Sequence, residues 1–170
     1  MVGTFLGGDA DYYILQASGT KYWTIKKAVL EWRNQAAVAE GLGSTKDVPI
    51  FDRFFAGGLG TIRGYNYRRV SPKEDNRPIG GQTLFLTSLE YTFPIPILDN
   101  FKGAVFIDAG QVASDSYHFF GSNDFVVSIG PGVKINTPIG PVAFYYGLPI
   151  FNRDTEDRNG RFEFSLSRSF

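Results

Sequence analysis

The sequence contains no cysteine, so a disulfide framework and a thiolate metal site are both excluded, and the redox compartment is left unmarked. It has no surplus of either charge: 17 basic and 17 acidic side chains cancel, and nothing in the balance calls for nucleic acid or an acidic partner. It has a single histidine, His118, with no serine, aspartate or metal-ligating neighbour at a recognisable spacing, which places it in a solvent-facing or locally packed loop. No apolar run approaches the ~18 residues that a membrane-spanning helix requires. Met1 is followed by Val-Gly-Thr-Phe-Leu, with neither a basic start nor an apolar core, so no export signal is visible.

What the chain has in quantity is glycine (20), phenylalanine (16) and tyrosine (9), a profile of short strands and tight turns. Its 170 residues suffice for one domain, taken here as residues 1–170. Runs of alternating character are predicted as strands over residues 11–25, 27–40, 83–93, 101–112, 124–136, 142–150 and 161–170, with a stub at 2–6. In the second run Leu30, Trp32, Ala36 and Val38 share one face and Glu31, Arg33 and Gln35 the other. In the third, Phe85, Leu89, Tyr91 and Phe93 oppose Ser88, Glu90 and Thr92. In the fourth, Val105, Ile107 and Ala109 oppose Lys102, Asp108 and Gly110.

Strands of about ten residues, strongly tilted, cross the apolar layer of a bilayer. Short turns alternate with long loops along the chain, as in outer-membrane barrels. A slightly polar mean hydropathy fits such a barrel, because only alternate residues face lipid. A soluble barrel or sandwich shows the same period with its apolar face turned inward, and periodicity alone does not separate the two. If the wall is a membrane wall, the protein is exported, and the chain is expected to be a piece of something longer.

Residues 42–82 resist strand assignment and are predicted as one long external loop. Within it lies Phe54-Phe-Ala-Gly-Gly-Leu-Gly-Thr-Ile-Arg-Gly-Tyr65, with four glycines among residues 57–64. Those glycines permit positive φ and close backbone approach, Ile62 can pack, and Arg63 presents a planar fork of donors. A phosphate-cradling loop would need a lysine and a strand-to-helix frame, and neither is present. The acidic stretch Asp154-Thr-Glu-Asp157 is flanked by Arg153 and Arg158, which favours a solvated loop over a calcium site. No nucleophile–base pair or supported carboxylate pair is found, and neither an enzymatic activity nor a cofactor is expected.

Gly57-Gly-Leu-Gly-Thr-Ile-Arg-Gly-Tyr65 resembles the arginine–glycine–aromatic loop motif of the superfamily that holds BamA, TamA and the two-partner-secretion transporters. Pro78-Ile-Gly-Gly81, Ser88-Leu-Glu-Tyr91 with Phe93-Pro94, Asp108-Ala-Gly110, Thr137-Pro-Ile-Gly-Pro141 and a terminal Phe170 follow in the order of BamA-like barrels. The resemblance runs from about residue 5 to the end. It implies an all-β, antiparallel transmembrane barrel in the bacterial outer membrane. This chain would supply about eight strands, the C-terminal half of a sixteen-stranded barrel whose sixth external loop folds into the lumen.

The resemblance further implies a loop motif of Gly57, Gly58, Ile62, Arg63, Gly64 and Tyr65, with Arg63 meeting carboxylates that match Glu90 and Asp108. The face assignment independently puts both on the polar side. Phe162, Phe164, Leu166 and Phe170 would lie on the terminal strand, one edge of a lateral gate. Ser167 stands where related strands often carry a kink-permitting glycine. The implied function is assembly and insertion of outer-membrane barrels. The partners would be lipid, periplasmic POTRA domains, assembly lipoproteins and unfolded barrel clients. The alternative is a secretion pore of a two-partner or patatin-like autotransporter, which shares the arginine loop.

Taken alone, the chain is expected to close as a small barrel. A closed eight-stranded interior is only just filled by side chains, so the Arg63 loop would be expelled and Arg33 or Lys134 would serve Glu90 and Asp108.

Overall fold

A computed structural model describes residues 11–43, 47–96, 100–120, 125–137, 140–151 and 159–166. Seven long strands form one antiparallel sheet: β1 (Tyr12–Ile25), β2 (Ala28–Gly41), β5 (Thr83–Pro94), β6 (Phe101–Ala113), β7 (Val126–Thr137), β8 (Gly140–Phe151) and β9 (Arg161–Leu166). Each pairs with the next of these in sequence. All seven predicted runs are strands, with ends displaced by a few residues. The stub at 2–6, the acidic stretch 154–157, Ser167 and Phe170 lie outside the described residues.

The strands of β1, β2 and β5 to β8 run 12–14 residues. At ~3.3 Å per residue and a tilt near ~45° they rise about 30 Å, the thickness of a bilayer's hydrocarbon layer. The alternation along them is inverted relative to a soluble fold. Glu90 and Asp108 are 4% and 1% exposed, whereas their neighbours Leu89 and Ile107 are 39% and 40% exposed. Val105, Ile129, Val133, Phe144, Leu148 and Ile150 continue the exposed apolar wall, and Ser88 and Ser128 the buried polar one. A soluble sandwich hides the first set and wets the second. Here the polar set is covered, and the apolar set is left for lipid. β1 departs from this pattern: nearly all of it is exposed on both faces, because among the described residues nothing covers its inner side beyond Tyr12 and Tyr13.

The segment between β2 and β5 lies against the inner face of the sheet, as the resemblance implies, but where no strand is expected it carries a small hairpin, β3 (Lys73–Glu74) with β4 (Arg77–Pro78). The hairpin turns on Asp75 and Asn76 at φ 47° and 63°, the double left-handed turn that suits these two side chains. Isolated bridges Phe54–Gly81 and Ala56–Val70 close the base of the segment. Ile62, Tyr65, Ala56 and Val70 then pack with Ala37, Leu84, Leu86, Val112 and Val126 of the sheet. A second cluster joins Val48 to Tyr12 and Ala39.

This arrangement corrects the expectation of an expelled loop, while the expected closing seam at 2–6 lies outside the described residues. Among the described residues β1 pairs only with β2 and β9 only with β8, and the loop occupies the inner face of the sheet. The reason is physical: the loop supplies both an apolar plug and a cation for the buried carboxylates.

The inverted wall makes a measurable prediction. Ile129→Arg on the exposed apolar face should destabilise the protein in lipid vesicles by ~2–4 kcal/mol if the site sits near the bilayer midplane. On the surface of a soluble protein such a change stays within about 0.5 kcal/mol. Equilibrium unfolding in vesicles distinguishes the two, and a near-zero change would contradict a lipid-facing wall.

Candidate functional site

The site is built around Arg63, whose side chain is 4% exposed on the inner face of the sheet. β6 delivers Asp108, β5 delivers Ser88 and Glu90, and β7 delivers Lys134. The period of two aims all four inward, and the β5–β6 register sets Ser88 directly opposite Asp108. Arg63 Nε donates to Asp108 Oδ2 at 2.7 Å and Nη2 to Oδ1 at 2.8 Å, a fork-on-fork contact. Nη1 donates to Glu90 Oε2 and Nη2 also to Ser88 Oγ at 3.3 Å. Ser88 Oγ in turn donates to Asp108 Oδ1 at 2.6 Å. Lys134 Nζ pairs with the other Glu90 oxygen.

The four charges of Arg63, Lys134, Glu90 and Asp108 therefore cancel within the cluster. Burial works against the guanidinium's charge, but Asp108 and then Glu90 outweigh it, and the Arg63 pKa is raised above the ordinary arginine value. The Arg63 plane also stacks at 3.6 Å from the Phe106 ring centre and 4.6 Å from that of Tyr145, which themselves meet edge to face. A buried cation is thus served on its edges by carboxylates and on its faces by aromatic rings.

The loop backbone is held as firmly as its side chain. Arg63 N–H donates to Asp108 Oδ2 at 3.0 Å, and Gly64 N–H donates to Glu163 Oε1 on β9 at 2.8 Å. Gly64 stands at φ +90°, and a Cβ there would come within 2.6 Å of the Gly147 carbonyl carbon. A Cβ on Gly147 would come within 2.4 Å of Gly64 N, so two glycines meet backbone to backbone. The Tyr65 hydroxyl reaches the Phe151 and Val127 carbonyls at 2.6 and 3.2 Å, where the β7–β8 ladder shifts register. Upstream, Gly57 N–H donates to Thr61 Oγ1 and Gly58 N–H to the Ile62 carbonyl, which knots the glycine-rich turn. Gly57 is itself confined, since a Cβ would meet the Asn66 carbonyl oxygen at 2.2 Å.

Of the residues singled out in the sequence, Arg63, Glu90 and Asp108 meet directly, and Gly57, Gly58, Ile62, Gly64 and Tyr65 form the loop body around them. Phe162, Phe164 and Leu166 stand apart on the outer face of β9, exposed. Sequence reasoning missed Ser88, Tyr145, Gly147 and Glu163. Lys134 was assigned to Glu90 only as a substitute for Arg63, whereas the two cations share that carboxylate. Parity puts Ser88, two residues before Glu90, and Lys134 on the polar face, but it does not say that they meet Arg63 or share its carboxylates. The Gly64–Gly147 contact leaves no mark in the sequence. His118 is exposed, with its backbone N–H and C=O bound to Thr83 Oγ1 and Gln111 Nε2. Among the described residues no group of carboxylates or histidines is placed to hold a metal.

An antiparallel wall that is polar within and apolar without, braced by an arginine loop on its inner face, defines a section of an outer-membrane β-barrel. Residues 1–170 match the Omp85 superfamily domain. The chain is 33% identical over 171 residues to the outer membrane protein assembly factor BamA of Nitratidesulfovibrio vulgaris, an alignment covering 97% of this chain and 21% of that protein. It is 27% identical over 157 residues to a SAM50-like protein of Schizosaccharomyces pombe, covering 86% of this chain and 33% of the relative. The crystal structure of BamA from Haemophilus ducreyi lacking POTRA domains 1–3 matches with a TM-score of 0.77 at 25% identity, over 93% of this chain and 35% of that one. The chain belongs to the Omp85 superfamily and is a BamA-like barrel section of the bacterial outer membrane. It spans between about a fifth and a third of the length of the proteins it matches.

Arg63→Ala would leave Asp108 buried without its cation and should destabilise the docked loop by about 3–5 kcal/mol. Arg63→Lys should rescue little, because an ammonium cannot make the forked contact or stack on Phe106. Limited proteolysis across residues 43–81 reads this directly. Both variants should be cut faster than the parent while the strands stay protected, and unchanged cutting of Arg63→Ala would refute the bracing role.

Proposed function

We propose that this section works in a protein that assembles other β-barrels into the outer membrane, by pairing strands rather than by breaking bonds. What supports the reading is the arginine-braced inner wall in a chain that matches the Omp85 superfamily domain, together with relatives named as outer membrane assembly factors. Unpaired backbone groups in lipid cost several kcal/mol each, so a gate strand that parts from its neighbour in the barrel wall, with β9 in that role, is a template for another strand. A client strand added there would gain its hydrogen bonds from backbone, independent of its sequence, which suits a machine with many clients. Phe162, Phe164 and Leu166 would present the apolar side of that gate to lipid, and the Arg63 cluster would keep the inner wall rigid while the edge exchanges partners. No nucleophile or cofactor is needed for such exchange.

Relatives named as BamA and SAM50-like proteins support assembly over the alternative of a secretion pore, which would use the lumen as a conduit for one passenger. Periplasmic POTRA domains, assembly lipoproteins and unfolded barrel clients are the proposed partners of the whole protein. In proteoliposomes, the full-length protein should speed the folding of a urea-unfolded eight-stranded barrel client. Arg63→Ala should lower that rate on the order of tenfold or more if the brace is worth even ~1.4 kcal/mol at the rate-limiting step. Client folding no faster than in empty liposomes would overturn the assembly reading.

A further inference from the structure

The inner side chains of β9 reach two residues of the arginine loop, Gly64 and Asn66. Glu163 Oε1 accepts from Gly64 N–H at 2.8 Å, and Arg161 Nη1 donates to Asn66 Oδ1. The same short stretch is anchored elsewhere by Arg63 on β5 and β6 and by Tyr65 on the β7–β8 carbonyls. Arg161–Leu166 of β9 pair with β8 residue for residue, which holds one side of the strand. As the exchanging strand of the proposed function, β9 is the element of the sheet that opens at lowest free energy. Its position is therefore set to a large extent by what holds its inner face.

We propose that Glu163, seconded by Arg161, is a positioning residue that ties the exchanging edge strand β9 to the Arg63 loop, so that loop and strand dock and undock together. This rests on the reading of β9 as a strand-exchange edge. The bond is charge-assisted, a carboxylate accepting from a backbone N–H, and belongs to the stronger class of protein hydrogen bonds. Its second oxygen, Oε2, is buried without a partner, so the carboxylate carries more desolvation than one bond requires. A side chain held at that cost is suited to let go: when the loop moves, Glu163 loses its only described donor and regains water. Because Gly64 meets Gly147 backbone to backbone, the loop cannot shift along β8 without lifting away from it, which breaks the Glu163 contact in the same motion.

The chain's lack of cysteine makes the test clean over this section. Spin labels at Tyr67→Cys on the loop and Phe162→Cys on the outer face of β9, both highly exposed, report the loop-to-strand distance in the full-length protein in proteoliposomes. The parent and Glu163→Gln, which keeps an acceptor oxygen, should give one narrow distribution. Glu163→Ala should raise the undocked population on the order of tenfold, the worth of a lost charge-assisted bond. In an Arg63→Ala background, where the loop is already free, Glu163→Ala should add nothing further. An unchanged distribution for Glu163→Ala, or a Glu163→Gln distribution as broad as that of alanine, overturns the tie. Client folding is read separately. If the labels separate in Glu163→Ala while the client folds at the parent's rate, the tie stands and the strand-exchange reading falls.

Discussion

A guanidinium buried against the inner wall of a sheet is the constraint on which the rest of this structure hangs. An unpaired charge there would cost several kcal/mol, so Arg63 has to be met by carboxylates, and carboxylates so placed have to be met by cations. The cluster satisfies both demands by neutrality: Asp108 takes the fork of Arg63, and Glu90 is shared between Arg63 and Lys134. Removing Arg63 strands Asp108, and removing Asp108 takes the fork from Arg63. That interdependence makes the loop part of the wall, and it fixes where Ile62 and Tyr65 must pack.

The same constraint decides what the inner face of the sheet can hold. The inner face is already filled by the loop's apolar plug and by the ion cluster. A closed barrel of so few strands would have to choose between its loop and its own side chains. The outer face shows the complementary logic. Leu89, Ile107 and Ile129 lie side by side across β5, β6 and β7, and their exposure is affordable only in lipid.

Much of this was legible in the sequence, and the limits have a physical pattern. Strands could be read because the period of two is local, and the Glu90 and Asp108 faces followed from it. The direction of those faces could not: a soluble fold has the same period, and only the covering of Ser88, Glu90 and Asp108 by the loop decides between them. The hairpin of β3 and β4 was signalled by Asp75-Asn76 but is too short to show alternation. Alternation marks Glu163 as no more than a polar position between Phe162 and Phe164 on the last strand. Its contact with Gly64 joins positions 99 residues apart, and no local pattern reports that. β1 gave only loose alternation for a reason now visible, since both its faces are largely uncovered.

The order of the motif, arginine then glycine then aromatic, follows from what three consecutive residues must reach. Arg63 turns toward β5 and β6, whereas Tyr65 reaches carbonyls at the irregular pairing of β7 and β8. In an ordinary extended segment, residues 63 and 65 would project to the same side at a spacing too short to serve both places. A left-handed residue between them redirects the chain, and φ +90° at position 64 is open to glycine at little cost. The missing side chain does a second thing at the same point. It lets the loop backbone rest on β8, but only because Gly147 lacks a side chain too, and it leaves the Gly64 N–H uncovered for Glu163. A β-carbon at either glycine would force the loop backbone and β8 apart beside the point where Arg63 meets its carboxylates. The glycine in the motif and the glycine on the strand are therefore one requirement, the close backbone contact that seats the loop where its arginine is held.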